Sequence, residues 1–339
     1  MIETQLKEAT KPKRKNNKTL REITDPVGPN LKEFRSFYKE ALRTDVFLLD
    51  KIVQYLLRQK GKEIRPTLVF MSARLFGDVT KRSYVAATMI ELLHTATLIH
   101  DDVVDESNIR RGFLSINKVW KNKASVLLGD FLLSNGLLIA LEDDEFKLLK
   151  VLSKAVKSMS EGELRQFKAA RLFNMDEEYY FKVISEKTAS LIASCCECGA
   201  ISTSDDPEMH QKMYDIGMAV GVAFQIKDDL FDYGVDDIGK PKRNDIKERK
   251  VTLPLIKALD NASLVERTKI RYLMRKRNKD NDEIETIVNF VHEKGGMEYA
   301  TNIMQDYANS AIDLLHTLPQ SDARTDFEDL IQFIINRKK

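Results

Sequence analysis

Apolar residues recur at three- and four-residue steps along most of this chain. Examples are Val85, Met89, Leu92, Leu93 and Ala96, then Leu127, Leu128, Phe131, Leu132 and Leu138, then Ile184, Leu191, Ile192 and Cys195. That period is one face of an α-helix. No proline interrupts the chain between Pro66 and Pro207, and no alternating Val/Ile/Thr run bounded by Asn-Gly or Asp-Gly marks a hairpin. The pattern predicts an all-α fold, a large single-domain helical bundle around a deep central apolar cavity. Its helices fall at 31–58, 65–76, 82–106, 115–142, 145–173, 176–203, 208–233, 250–260, 263–277, 281–294, 296–317 and 321–336. Two of them, 82–106 and 208–233, are apolar around much of their circumference yet end in a burst of aspartates. Such helices belong at the centre of a bundle, so both bursts should open at one end of a buried cavity.

Composition narrows the picture. With 339 residues but only 14 Gly and 8 Pro, there is material for a large core and little for linkers. Residues 30–339 therefore read as one domain. Residues 1–21 hold seven Lys/Arg against two Glu, so 1–29 reads as a basic, disordered tail, and the remaining body is mildly acidic. The tail has no aromatic residue for stacking on bases, so no nucleic-acid partner is expected. The start of the chain lacks a signal-peptide pattern, and the apolar run from Ser125 to Leu141 contains Gly129-Asp130 and Asn135. A cytoplasmic protein is expected, with at most peripheral membrane contact. Cys195, Cys196 and Cys198 cluster without distant partners, which excludes a disulfide framework.

The chemistry lies in the two acidic bursts. His100-Asp101-Asp102-Val103-Val104-Asp105 and Lys227-Asp228-Asp229-Leu230-Phe231-Asp232 both read D-D-x-x-D. Asp101 and Asp105 lie about 40° apart on one helix face, as do Asp228 and Asp232. Like charges at that spacing repel, and each pair sits where the helix dipole opposes negative charge. Clustered carboxylates from two helices, without His or Cys nearby in a metal-ligand pattern, suit a hard cation such as Mg²⁺. Arg110-Arg111 follows the first burst, Lys240 and Lys250 follow the second, and Lys62 and Arg65 lie upstream. A polyanionic substrate held by both metal ions and these cations accounts for the two charge types together. Diphosphate is the natural candidate, and no P-loop is present.

The order of motifs completes the assignment: G-K-x-x-R-P (Gly61 to Pro66), H-T-A-T-L-I-H-D-D-V-V-D-E-x-x-x-R-R-G (His94 to Gly112), Gly129-Asp130, Glu161-Gly162-Glu163, Lys187-Thr188-Ala189, G-V-A-F-Q-I-K-D-D-L-F-D (Gly221 to Asp232), Gly239-Lys240-Pro241 and Lys250-Val251-Thr252-Leu253-Pro254. From about residue 30 onward the chain resembles the trans-isoprenyl diphosphate synthases, most closely the long-chain polyprenyl members. The resemblance implies that two or three Mg²⁺ ions, replaceable by Mn²⁺, are held by Asp101, Asp102, Asp105, Asp228 and Asp232. It implies that Arg110, Lys187, Gln225 and Lys240 grip an allylic diphosphate, with Lys250 assisting, and that Lys62, Arg65, His94 and Arg111 bind isopentenyl diphosphate. The carbonyls of Lys187 and Thr188 would face the developing carbocation. A homodimer is implied as well. Arg249 and Asn244 stand where the family commonly has glycine, which bears on Lys250 above all.

Two other readings compete. A class I terpene cyclase would carry N-D-x-x-S-x-x-x-E, and Asn244-Asp245 lacks the following Ser and Glu. A non-catalytic regulatory subunit would be expected to lose one acidic burst, and both are intact. Within the synthase reading, Ile90, Leu93 and Thr97 share the face of Asp101, with Ala96 at its margin, and form the wall beneath the metal site. Short-chain members, the farnesyl and geranylgeranyl synthases, typically place Phe or Tyr four or five residues before the first Asp. Thr97 and Ala96 are small, so a long product of quinone side-chain size is expected. Gly217 and Gly221 either widen the same cavity or permit close helix packing, and Leu133 and Leu137 are candidates for its floor.

Overall fold

The computed structural model describes residues 18–59, 61–110, 112–172, 176–234 and 243–337. They form an all-helical bundle carrying one small hairpin. The helices are α1 (Leu20–Thr24), α2 (Gly28–Ala41), α3 (Phe47–Arg58), α4 (Ile64–Arg74), α5 (Lys81–Val104), α6 (Ile116–Glu142), α7 (Phe146–Leu172), α8 (Glu177–Ile184), α9 (Ser190–Ile201), α10 (Pro207–Tyr233), α11 (Asn244–Lys247), α12 (Leu253–Asp260), α13 (Leu264–Arg275), α14 (Asn281–Glu293), α15 (Gly296–His316) and α16 (Asp322–Asn336). α10 packs against α9 and α15, α9 against α4, and α5 along α6. As the pattern implied, α5 and α10 are buried around most of their girth.

Local chemistry sets the helix ends. Pro207 opens α10, and the Asp206 carboxylate accepts from Glu208 N at 2.9 Å. Ser263 with Glu266, and Asp280 with Glu283, form reciprocal capping boxes on α13 and α14.

Four expectations need correction. The helix expected over 31–58 is two helices, α2 and α3. Thr44 Oγ1 accepts from Val46 N at 3.2 Å in the break, a local bond that competes with the helical ladder. The folded chain starts before residue 30: Ile23 and Val27 are core residues. A hairpin forms where none was signalled, pairing β1 (Ile109–Arg110) with β2 (Phe113–Leu114) across a turn where Gly112 has φ +82°. Two residues per strand are too few for alternation to register. Finally, the apolar run around Ser125–Leu141 belongs to α6, whose 27 residues are kinked at Lys121 (φ +71°) and are long and apolar enough to cross a bilayer by length and composition. In the fold α6 lies along α5 with Leu128 and Leu132 buried, while Leu127, Leu138 and Leu141 remain about half exposed.

Candidate active site

The C-terminal end of α5 carries Asp101 and Asp105 one turn apart. Burial raises both carboxyls, Asp101 up to about 6, with Glu163 of α7 adding to each shift and Lys187 opposing it. Three carboxylates, Asp101, Asp105 and Glu163, thus act on one another at this spot. Asp102 turns away, as the rotation of about 100° per residue requires. It is buried, accepts from Arg110 Nε at 3.0 Å, and its backbone oxygen accepts from Asn117 Nδ2 at 3.0 Å. Asp102 and Arg110 thus form an ion pair lining a separate cavity of about 570 Å³ between α2, α3 and α5. Asp102 is thereby turned from the face of Asp101 and Asp105, contrary to the expectation for it, whereas the Arg110 guanidinium still acts on Asp101 and opposes the rise of its carboxyl.

The second burst also divides its labour. Asp228 is pushed up by burial against the pull of Arg337, whose guanidinium donates to its Oδ1 at 2.5 Å, and Asp245 and Lys62 act on it from either sign. Asp229 is buried and rises to about 7 through burial first and Asp245 second. It accepts from Tyr180 Oη at 2.7 Å and from Gln225 Nε2 at 3.0 Å. Asp232 accepts from Asp245 N at 2.5 Å, while its backbone oxygen accepts from Arg243. Its carboxylate holds the loop entering α11, so a metal-ligand role for Asp232 is not what this arrangement displays.

Between α8 and α9 the chain widens into a single π-helical turn, Ser185–Ala189, which contains Lys187 and Thr188. Such turns interrupt the regular ladder and collect at functional sites. Close contact with α7 depends on Gly162: a Cβ there would stand 2.8 Å from Lys187 N. Lys187 pairs with Glu163 and donates to Gln166 Oε1 at 2.6 Å. Thr188 Oγ1 donates to Gln225 Oε1 at 2.9 Å, so Thr188, Gln225, Asp229 and Tyr180 form one continuous polar chain. Together with Lys250 and Asp245 these groups line a cavity of about 160 Å³.

Lys250 lies between the acidic ends: its ammonium is 3.4 Å from Asp245 and 2.7 Å from Glu248, and it also acts on Asp105. Burial works against its charge, yet these carboxylates prevail and raise it. Arg249 is held at φ +62°, a left-handed conformation that favours glycine, the residue the resemblance implied for that position. Lys62 is exposed, Arg65 opens α4, and His94 is buried. Arg111 and Lys240 lie outside the described residues.

Beneath Asp101, Ile90 and Leu93 are packed in the main core. Ala96 faces elsewhere, into a second apolar cluster with Leu42, Ile52, Leu128 and Leu132. Thr97 is half-buried, its hydroxyl donating to His94 O. Gly217 and Gly221 serve close packing rather than cavity width: a Cβ on either would stand 2.5 Å from the Cα of Ala193 or Ala189. Leu133 is partly buried against both clusters, while Leu137 is 49% exposed and faces away from any floor. Glu163, Tyr180, Asp229, Asp245 and Arg337 are site residues to which sequence reasoning gave no role. Asp229 and Glu163 stood inside quoted motifs, whereas nothing in the sequence pointed to Tyr180 or Arg337.

Among the described residues no three His, Cys, Asp or Glu side chains converge as a ready-made metal cage. The donors are all carboxylate oxygens whose charge is disfavoured first by burial and then by a neighbouring carboxylate, Glu163 for Asp101 and Asp105 and Asp245 for Asp228. That set fits a hard divalent cation that takes much of its coordination from water and a phosphorylated ligand.

Comparison with known proteins agrees with this chemistry. The polyprenyl synthetase family profile matches residues 46–291. Octaprenyl diphosphate synthase of Escherichia coli (strain K12) is 32% identical over 322 residues, covering 94% of this chain and 99% of that one. The crystal structure of a decaprenyl diphosphate synthase from Rhodobacter capsulatus superposes with TM-score 0.89 at 31% identity, over 94% of this chain and 98% of that one. A polyprenyl synthase from Caulobacter crescentus CB15, complexed with calcium and isoprenyl diphosphate, gives 0.87 at 28% identity, over 97% and 100%. With the profile matched over residues 46–291 and a relative 32% identical over nearly the whole of both chains, this chain belongs to the polyprenyl synthetase family.

Proposed function

We propose that the protein condenses isopentenyl diphosphate with an allylic diphosphate, head to tail, to give a long trans-polyprenyl diphosphate. The observation that carries this reading is the pair of partly buried carboxylate groups ending α5 and α10, with Lys187 acting on the first and Lys250 paired to Asp245 beside the second. Ionisation of the allylic carbon–oxygen bond sends the electron pair to the departing diphosphate, so fixed cations must stabilise that charge in a dry site. Mg²⁺ held by Asp101, Asp105 and Asp228 would supply Lewis-acid stabilisation of the leaving diphosphate. Lys187 and Lys250 add direct cationic contacts, and the π turn supports the role of the Lys187 and Thr188 carbonyls beside the carbocation. The isopentenyl double bond then attacks, and the departed diphosphate takes the proton lost in forming the new double bond.

Relatives named octaprenyl and decaprenyl diphosphate synthase, and the small Thr97 before Asp101, favour the long product. A homodimer is supported by the outer face of α6, where Leu127, Phe131, Leu138 and Leu141 form a stripe at helical spacing that no element among the described residues covers fully. Sedimentation should give a species of twice the 38.9 kDa chain mass. The function is tested by incubating labelled isopentenyl diphosphate, an allylic primer and Mg²⁺ with the protein: a linear diphosphate supports it, and a cyclic hydrocarbon or no product contradicts it.

A further inference from the structure

Arg337, the residue capping the end of α16, reaches across the fold to the second acidic helix end. Its guanidinium donates to Asp228 Oδ1 at 2.5 Å and to Phe224 O at 3.4 Å, and it stacks on the Phe224 ring with 4.0 Å to the centroid; Phe231 stands at 5.5 Å. The side chain is only 16% exposed, and its Nε is buried without a hydrogen-bond partner. The cation is therefore held by one carboxylate and two aromatic faces while part of its hydrogen-bonding capacity goes unmet, an arrangement that costs desolvation. A divalent cation arriving at Asp228 competes for the same oxygen and has no such unmet donor.

We propose that Arg337 is an electrostatic latch: it neutralises Asp228 while the metal is absent, and metal entry at the α10 carboxylates releases the end of α16. This rests on the reading of Asp228 as a metal ligand. The stacking on Phe224 and Phe231 makes the latch specific for a planar guanidinium, since an ammonium offers no flat face to the ring. A site blocked by such a contact shows an apparent affinity reduced by the fraction of molecules that are open. For a latch closed in roughly nine molecules of ten, removal of Arg337 would tighten metal binding about tenfold.

The test uses the full chain and Mn²⁺ alone, with bound and free ion separated by electron paramagnetic resonance. Arg337→Gln should tighten the Mn²⁺ site that Asp228→Asn removes, by about tenfold, and leave the site removed by Asp101→Asn unchanged. Arg337→Lys should fall between wild type and Arg337→Gln. As an independent readout, tryptic cleavage of the wild-type Arg337–Lys338 bond, followed by intact mass, should accelerate when Mn²⁺ is added. The same acceleration should be absent in Asp228→Asn, where the guanidinium has lost its ionic partner and cleavage is fast from the start. Unchanged Mn²⁺ affinity in Arg337→Gln, or cleavage indifferent to Mn²⁺, would overturn the latch. Failure of the enzymatic reading is distinguishable, because it would appear as absent condensation despite intact Mn²⁺ binding.

Discussion

Lys250 Nζ stands 3.4 Å from Asp245 Oδ1. The pair occupies the ground between the two acidic helix ends, because Lys250 also acts on Asp105 while Asp245 acts on Asp228 and Asp229. Lys250→Ala should therefore have two effects. Loss of a charge-assisted hydrogen bond to the substrate diphosphate is worth roughly 1.5–3 kcal/mol, so the KM for the allylic diphosphate should rise by about tenfold or more. The metal-free protein should also melt at a lower temperature, since Asp245 and Asp105 lose their shared cation. Steady-state kinetics and thermal melts check both, and an unchanged KM would remove Lys250 from the substrate site.

The buried carboxyls fix a direction for the pH response. Asp229 titrates in the folded protein near a pH of about 7, above its ordinary value of 3.8, because burial and Asp245 disfavour its charge. Between those values the native state binds more protons than the unfolded state, so this group's contribution to stability falls as pH rises and is level beyond about 7. Asp229→Asn lacks that charge and should gain melting temperature relative to wild type as pH climbs from about 4 to 7. Added Mg²⁺ should stabilise wild type increasingly over the range in which Asp101 deprotonates, up to about 6. A stability difference independent of pH would contradict the assignment.

Asp101→Ala or Asp228→Ala should lower turnover by a factor on the order of 10³, the usual scale for losing a key electrostatic stabiliser. Both variants should fold, because each substitution removes a partly buried charge rather than a packing element. Circular dichroism and turnover measured together decide this, and near-normal turnover with intact helicity would refute the metal assignment.

Helix content was legible because burial imposes the 3.6-residue period, and α5, α10 and their acidic ends carry it without interruption. The features that refine the site arise otherwise. The π turn at Ser185–Ala189 adds one residue to a helical run, too small a shift to stand out from an apolar pattern that tolerates either phase. The roles of Asp102 and Asp232 depend on rotation about the helix and on partners such as Arg110 and Asp245, which a motif string does not contain. Arg337 meets Asp228 only because the bundle folds 109 residues back on itself.

The product-length wall gives a contrast between neighbours. Ala96 is fully buried beside Leu92, Ile99 and Leu128, so Ala96→Tyr overpacks that cluster and should cost about 1–3 kcal/mol of stability. Thr97 is half-buried and shares the Asp101 face, so Thr97→Phe should shorten the product while preserving stability and diphosphate binding. Chromatography of the dephosphorylated products, beside denaturant melts of both variants, separates the two effects. A product distribution unchanged by Thr97→Phe would show that this face does not line the growing chain.

The most direct measurement is product analysis after incubation of labelled isopentenyl diphosphate with an allylic diphosphate primer, with Mg²⁺ or with a chelator. The account predicts a linear all-trans diphosphate of many isoprene units with Mg²⁺, and none when the metal is removed or when Asp101 or Asp228 is replaced. Condensation that persists in chelator, or a wild-type protein that consumes neither substrate with Mg²⁺ present, would contradict it.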